Sequence, residues 1–108
     1  MARRMARFSF ADLFEKPLGP ADYLRIADVF QAVFVDRVPS MGPERRNEAR
    51  RFITFVDALY ESRVRLVMSA EVLPDRLYPE GAGSDAFART VSRLMEMQSD
   101  AWLANGDS

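Results

Sequence analysis

The fold is decided by two short apolar runs, Ala32-Val-Phe-Val-Asp-Arg-Val38 and Val64-Arg-Leu-Val-Met-Ser69. Both are rich in strand-forming residues, and Pro39 ends the first, which is typical of mostly buried strands. Between them, an apolar stripe at helical spacing predicts a long helix from about Glu44. The stripe comprises Ala49, Phe52, Ile53, Val56, Leu59 and Tyr60. A strand, a helix and a strand with short connections predict one parallel βαβ unit, and therefore an α/β fold.

Helices are predicted on both sides of this unit. Pro20 suits a first helical turn, and the apolar spacing after it predicts a helix over residues 20–30. Before it, Phe8-Ser9-Phe10 indicates the end of an extended stretch, followed by one helical turn. A last helix is predicted after the Gly-rich loop, with Ser84 or Asp85 as its N-cap. Its apolar face comprises Phe87, Val91, Leu94 and Met95, and Gln98 continues it.

Composition indicates one small domain and excludes several classes of function. The 108 residues carry 15 basic and 16 acidic side chains, so a net charge of −1 provides no field to attract nucleic acid. No stretch is apolar enough for membrane insertion or a signal peptide, which predicts a cytoplasmic location. Because the chain has no Cys and no His, disulfides, the usual zinc sites and Ser-His or Cys-His catalysis are excluded. We expect no metal site and no catalytic residue.

The first candidate for ligand binding is a pair of arginines on the last predicted helix. Arg89 and Arg93 are four residues apart, which places both guanidinium groups on one helix face. Two such groups can hold a phosphate. The alternative is an ordinary surface ion pair between Arg93 and Glu96, which contributes a few tenths of a kcal/mol.

Four arginines near the start of the long helix form a second candidate. Arg45-Arg46 and Arg50-Arg51 place cations where the helix macrodipole is already positive, a mildly unfavourable arrangement. A carboxylate of another domain or a phosphate would justify it. Solvated arginines beside neighbouring glutamates are the simpler interpretation.

Single polar residues are weaker candidates. Asp36 follows four apolar residues as in a magnesium-binding Walker B strand, but Arg37 replaces the expected Glu, so a structural role is favoured. Ser69 and Glu71 follow the second predicted strand, at the edge where polar side chains of parallel sheets reach ligands. Asp57 lies close to the apolar stripe of the long helix, which predicts a half-buried carboxylate paired with an Arg.

The order of motifs resembles the ZapE family, also called AFG-one-like ATPases. The first matching part is Gly42-Pro-Glu-Arg-Arg-Asn-Glu-Ala-Arg-Arg-Phe-Ile-Thr-Phe-Val-Asp-Ala-Leu-Tyr60, followed by Val64-Arg-Leu-Val-Met-Ser-Ala70. The C-terminal signature of the family is similar to Phe87-Ala-Arg-Thr-Val-Ser-Arg-Leu-Met-Glu-Met-Gln-Ser99. The segment before these resembles Phe8-Ser-Phe-Ala-Asp-Leu13 and Pro17-Leu-Gly-Pro-Ala-Asp-Tyr23. One family position departs, because Phe14 stands where Cys is common.

The resemblance implies a part of an AAA+-type ATPase. Members are linked to the cell-division protein FtsZ in bacteria and to inner-membrane protein quality control in mitochondria. Their phosphate loop, Walker B strand and first sensor lie upstream of the matched region, and this chain contains no G-x-x-x-x-G-K motif. The resemblance therefore implies ATP and magnesium as cofactors of the full-length protein and none for this chain alone. Residues 1–108 are expected to be one C-terminal segment, inactive as an ATPase by itself.

The resemblance also implies partners and roles for the charged residues. The expected partner is the missing N-terminal ATPase portion, with FtsZ as a second candidate and a homo-oligomer in the full-length protein. Arg89 and Arg93 become candidates for nucleotide sensing or subunit contact. For the chain as a whole, the alternative to a segment of an ATPase is a stand-alone protein-interaction module that uses an apolar face. Candidates for docking on the ATPase core are Arg50, Arg51, Asp57 and Tyr60.

Overall fold

A three-stranded parallel sheet forms the base of the fold in a computed structural model, which describes residues 4–81 and 83–97. The strands are β1 (Met5–Ser9), β2 (Ala32–Val38) and β3 (Arg65–Ala70), in the order β1-β2-β3. The strand predicted over residues 32–38 is confirmed at both ends, and β3 begins and ends one residue later than predicted. The sequence predicted only the end of an extended stretch at β1, because this strand is short and contains no β-branched residue. Its pairing with β2 makes it a strand.

Four helices accompany the sheet in the described part of the chain. The predicted single turn, the helix from Pro20 and the long helix are confirmed with small shifts at their ends. The last helix begins at Ser84, and the Gly83 carbonyl accepts its first hydrogen bond, so Gly83 holds the cap position predicted for Ser84 or Asp85. Gln98 lies outside the described residues. The helices are α1 (Phe10–Phe14), α2 (Pro20–Val29), α3 (Arg46–Glu61) and α4 (Ser84–Met97).

The order of elements contains two βαβ units, where the sequence predicted one. The first runs from β1 through α1 and α2 to β2, and the second from β2 through α3 to β3. Crossovers of the same hand between consecutive strands place their helices on one face of the sheet. The contacts agree, since α3 packs against α1, α2 and α4 as well as β3. None of the helices of residues 4–81 and 83–97 has the length and apolar character needed to cross a membrane.

Aromatic side chains fill the space between the helices and the sheet. The ring of Phe14 is fully buried and lies 5.2–5.4 Å from the rings of Phe10, Phe52 and Phe55, measured between centroids. Phe14 also packs against Tyr23, whose hydroxyl donates to the Leu13 carbonyl oxygen at 2.7 Å. The residue that departs from the family pattern therefore occupies the centre of the core.

The other face of the sheet, here called the outer face, is not covered by any described helix. Along β2, Val33 and Val35 point into the core and are buried, while the alternating Phe34 is only half-buried. The strand register places Phe34 beside Arg7 of β1 and Val67 of β3. Outer-face exposure reaches 62% for Met5 and 38% for Val67. The outer face comprises Met5, Arg7, Ala32, Phe34, Asp36, Arg65 and Val67.

Candidate functional site

A cluster of charged and aromatic side chains joins α3 to α4. Arg93 of α4 forms an ion pair with Asp57 of α3, and its guanidinium lies 4.7 Å from the centroid of the Tyr60 ring. The Tyr60 hydroxyl in turn donates to Glu96 Oε2 at 2.9 Å. Each helix contributes residues three apart, so both pairs lie on the facing sides of the two helices. We call these four residues the α3–α4 cluster.

The cluster resolves the two interpretations of its charges. The prediction that Asp57 is half-buried and paired with an Arg is confirmed, with Arg93 as the partner. The surface pair between Arg93 and Glu96 is not formed, because Arg93 turns toward α3 and Glu96 accepts from Tyr60 instead. This hydrogen bond, followed by desolvation, raises the pKa of Tyr60, whereas Arg93 acts in the opposite direction.

Arg89 does not join the cluster. It is exposed on α4 and forms no ion pair with any residue in the described ranges. Arg93 is held on Asp57 and Tyr60, so the two arginines have different surroundings although they are one turn apart. Their role in nucleotide sensing stays a prediction.

The arginines at the start of α3 divide into two groups. Arg45 Nη1 lies 3.5 Å from Glu15 Oε2, and Arg51 donates from Nη1 to the Phe14 carbonyl oxygen at 2.8 Å. These two side chains thus hold α3 against α1. Arg46 and Arg50 are exposed. Docking on an ATPase core through Arg50, Arg51, Asp57 or Tyr60 stays a prediction.

The carboxyl ends of β2 and β3 include a strained stretch of backbone. A register shift lies between Val35 and Val38, and within it Arg37 has φ of 56°, in the left-handed region. The Arg37 amide donates to Ser69 Oγ at 2.8 Å, so this predicted ligand-binding hydroxyl supports the bulge. Asp36 pairs with Arg7 of β1 at 2.7 Å, in agreement with a structural role.

Glu71 lies just beyond β3. Its amide donates to the Val38 carbonyl oxygen at 3.0 Å, which continues the pairing of the two strands. Its side chain is exposed, and a ligand-binding role for it stays a prediction. Among residues 4–81 and 83–97, no three acidic side chains gather into a group able to hold a metal ion.

A groove between α2 and α3 contains polar residues that the sequence did not single out. Asn47 and Thr54 line it together with Arg50 and Arg51, opposite the start of α2. The four residues follow the i, i+3, i+4, i+7 spacing, so a search for polar as well as apolar stripes would have found them. The sequence contains no local signal for the strain at Arg37, because neither Gly nor Asn marks the position.

Comparison of the sequence with known proteins identifies its family. Residues 1–106 match the sequence profile described as AFG1-like ATPase. The chain belongs to the AFG1-like ATPase family. The resemblance proposed from the sequence motifs is therefore confirmed. No solved structure matches the chain.

Two relatives show how much of the family this chain spans. It is 40% identical over 95 residues to the cell division protein ZapE of Escherichia coli, a match that covers 88% of this chain and 25% of that protein. It is 35% identical over 135 residues to the lactation elevated protein 1 homolog B of Danio rerio, with 95% of this chain and 27% of that protein covered. The chain thus spans about a quarter of the length of these AFG1-like relatives.

Proposed function

We propose that this chain is the C-terminal part of an AFG1-like ATPase and that it works by docking on the portion of the family's length that it does not span. It does not hydrolyse ATP by itself. The observation that carries the proposal is the outer face of the sheet. Parallel sheets are almost always covered on both faces, and here the described residues cover only one.

The composition of the outer face supports docking. Its middle row places Phe34 between Arg7 and Val67, and the Arg7 guanidinium lies 5.1 Å from the centroid of the Phe34 ring. Met5 adds a largely exposed apolar side chain at the edge. An apolar centre bordered by charged groups suits a contact that excludes water in the middle and is hydrated at its rim.

The occupant that we propose is a helix of the ATPase portion with an apolar stripe. Helices cover the faces of parallel sheets because the crossover connections place them there. Three parallel strands also make a small sheet, with β1 and β3 as its edge strands among the described residues, and a further strand at an edge would make it larger. A bound ATPase portion would then supply the phosphate loop that is missing from this sequence, together with ATP and magnesium.

A chimeric protein tests the docking. In E. coli ZapE, the region that matches this chain is either deleted or replaced by this chain, and steady-state phosphate release is measured. We expect the replacement to hydrolyse ATP faster than the deletion. Val67→Arg in the outer face should reduce this increase in the rate of phosphate release by about tenfold or more, because a bulky cation then enters an apolar contact. Leu24→Arg is the matched control, since Leu24 is 53% exposed on α2 and lies away from the outer face.

The isolated chain tests the proposed inactivity. Isothermal titration with ATP and magnesium should detect no tight binding, because no phosphate-binding loop is present. Tight ATP binding or sustained phosphate release by the pure chain would contradict the proposal. A chimera no more active than the deletion, or one equally impaired by both Arg variants, would contradict docking through the outer face.

The second candidate is a stand-alone interaction module that uses the same apolar face. Size-exclusion chromatography separates the two functions. A stable monomer that stays in solution favours the module, whereas aggregation relieved by the ATPase portion favours the docked segment. A homo-oligomer, a cytoplasmic location and FtsZ as a partner are proposals for the full-length protein. The similarity to ZapE, a cell division protein of E. coli, supports a partner in cell division. Co-sedimentation of the chimera with FtsZ polymers would check that partner.

A further inference from the structure

The groove between α2 and α3 has one polar wall that carries two positive charges. Its volume is about 250 Å³. The α3 wall consists of the polar stripe Asn47, Arg50, Arg51 and Thr54, and the opposite wall is formed by Leu18–Pro20 and Tyr23. No carboxylate lines it. The nearest candidate on α2, Asp22, is occupied by the Gly19 amide, from which it accepts a hydrogen bond at 2.8 Å.

The stripe is separate from the apolar side of α3 that is buried in the core, although Arg51 also bonds to the Phe14 carbonyl oxygen of α1. Phe52, Phe55 and Leu59 of the same helix are buried in the core. The groove residues lie on a neighbouring side of the helix, where apolar packing is not their function. The four polar side chains lie at consecutive turns of α3 and line the groove toward the start of α2. The Thr54 hydroxyl donates to the Arg50 carbonyl oxygen at 3.1 Å, so the donors available to a ligand are those of Asn47, Arg50 and Arg51.

The two guanidinium groups carry positive charge that is not neutralised by the described residues. Arg51 is half-buried, and its hydrogen bond within the described residues goes to a neutral acceptor, the Phe14 carbonyl oxygen. A guanidinium has five N–H donors, so most of them remain available to a ligand. Arg50 is exposed and forms no ion pair within the part of the chain that the structure describes. A partly desolvated cation without a counter-charge is costly, and a bound anion would offset that cost.

The size and shape of the groove limit the anion. Pockets for whole drug-sized or cofactor ligands measure roughly 300–1,000 Å³, so about 250 Å³ suits a single small group. Guanidinium groups match planar carboxylates and phosphate oxygens through paired hydrogen bonds. The start of α2 lies at the same groove, and the positive end of its macrodipole also favours a bound anion.

We propose that this groove binds an oxyanion, held by Arg50 and Arg51 with the Asn47 amide as an additional donor. The oxyanion is either a phosphate group or a carboxylate. This assignment does not depend on the docking of the outer face, which lies on the other side of the sheet. It also gives a reason for the two cations Arg50 and Arg51 in the N-terminal part of α3.

Chemical-shift titration of the ¹⁵N-labelled full chain tests the site. Inorganic phosphate and acetate are added separately at constant ionic strength, with chloride as the reference salt. We expect saturable shifts in the millimolar range for the Arg50 and Arg51 Nε–H groups and for the Gly19 amide. A phosphate affinity about tenfold above that of acetate identifies a phosphate site, and comparable affinities identify a carboxylate site.

Substitutions decide whether the shifts arise from the groove. Arg50→Gln should weaken binding by about tenfold or more. Because Arg50 is exposed, this variant keeps the fold, whereas Arg51→Gln also removes the bond to Phe14. Arg46→Gln is the matched control, an exposed arginine of the same helix outside the groove lining. No saturable shift with either anion, or equal weakening by Arg46→Gln and Arg50→Gln, would overturn the proposal.

Discussion

Arg93 of α4 and Asp57 of α3 form an ion pair between residues 36 positions apart in the chain. The side chains are 28% and 47% exposed, so water reaches both partners. The position of Arg93 over the Tyr60 ring adds a cation–π contact to the same junction. The α3–α4 cluster is therefore a tie between two helices, strengthened by several small contributions.

The strength of this tie can be measured with a double-mutant cycle of Arg93→Met and Asp57→Asn. We expect a coupling free energy of about 0.5–1 kcal/mol, because solvent screens the pair. Urea denaturation at low and high salt should show the coupling decreasing as ionic strength rises. The control is Arg89→Met, one turn earlier on α4, which should change stability by less than about 0.5 kcal/mol. A coupling of zero, or an equal cost at Arg89, would contradict the assignment.

Phe14 should be among the most sensitive positions in the core. Phe14→Ala removes a fully buried ring with four aromatic neighbours, and we expect a loss of about 3–5 kcal/mol. If this variant is unfolded at 25 °C, Phe14→Leu provides a measurable loss of about 1–2 kcal/mol. Leu24→Ala, at an exposed apolar position, should cost less than about 0.5 kcal/mol. Thermal unfolding followed by circular dichroism measures all three. Equal costs at Phe14 and Leu24 would show that the ring is not central.

Tyr23 makes stability depend on pH in the alkaline range. Burial raises its pKa to about 12, Arg51 opposes the shift, and Asp22 adds to it. An unfolded Tyr titrates near 10, so the folded state holds the proton more strongly. The contribution of the protonated Tyr23 hydroxyl to the free energy of unfolding is complete below about pH 10 and is lost as pH rises from about 10 to about 12. Urea midpoints across this range should fall more steeply in the parent than in Tyr23→Phe. Identical slopes would contradict the assignment.

The end of α3 provides a stabilising substitution. Arg63 has φ of 59°, and the hydrogen bonds from Val64 to Leu59 and from Arg63 to Tyr60 form a Schellman motif. Gly usually occupies this position because it adopts positive φ without steric cost. Arg63→Gly should therefore stabilise the protein by about 1 kcal/mol in urea denaturation. Arg63→Ala retains the strain and should bring no such gain. A loss of stability in Arg63→Gly would show that the Arg side chain contributes more than the strain costs.

Sequence reasoning predicted the elements that local patterns specify. β2 and α3 follow from a β-branched run and a 3.6-residue apolar stripe, each readable within a few turns of chain. It missed β1 as a full strand, because Met5–Ser9 alternates weakly and becomes a strand through its partner β2. The partner of Arg93 was missed for a similar reason, since Glu96 is close in sequence but Asp57 faces it across the helix junction.

By itself, the sequence determined the α/β class, the family and the absence of a phosphate-binding loop, because these depend on residue types in order along the chain. Only the tertiary structure decided which sheet face the described residues leave uncovered, where Arg51 and Arg93 point and which donors line the groove. The physical reason is that these features depend on how helices and strands distant in sequence pack together. Hydrogen bonds and ion pairs between such elements leave no trace in local spacing.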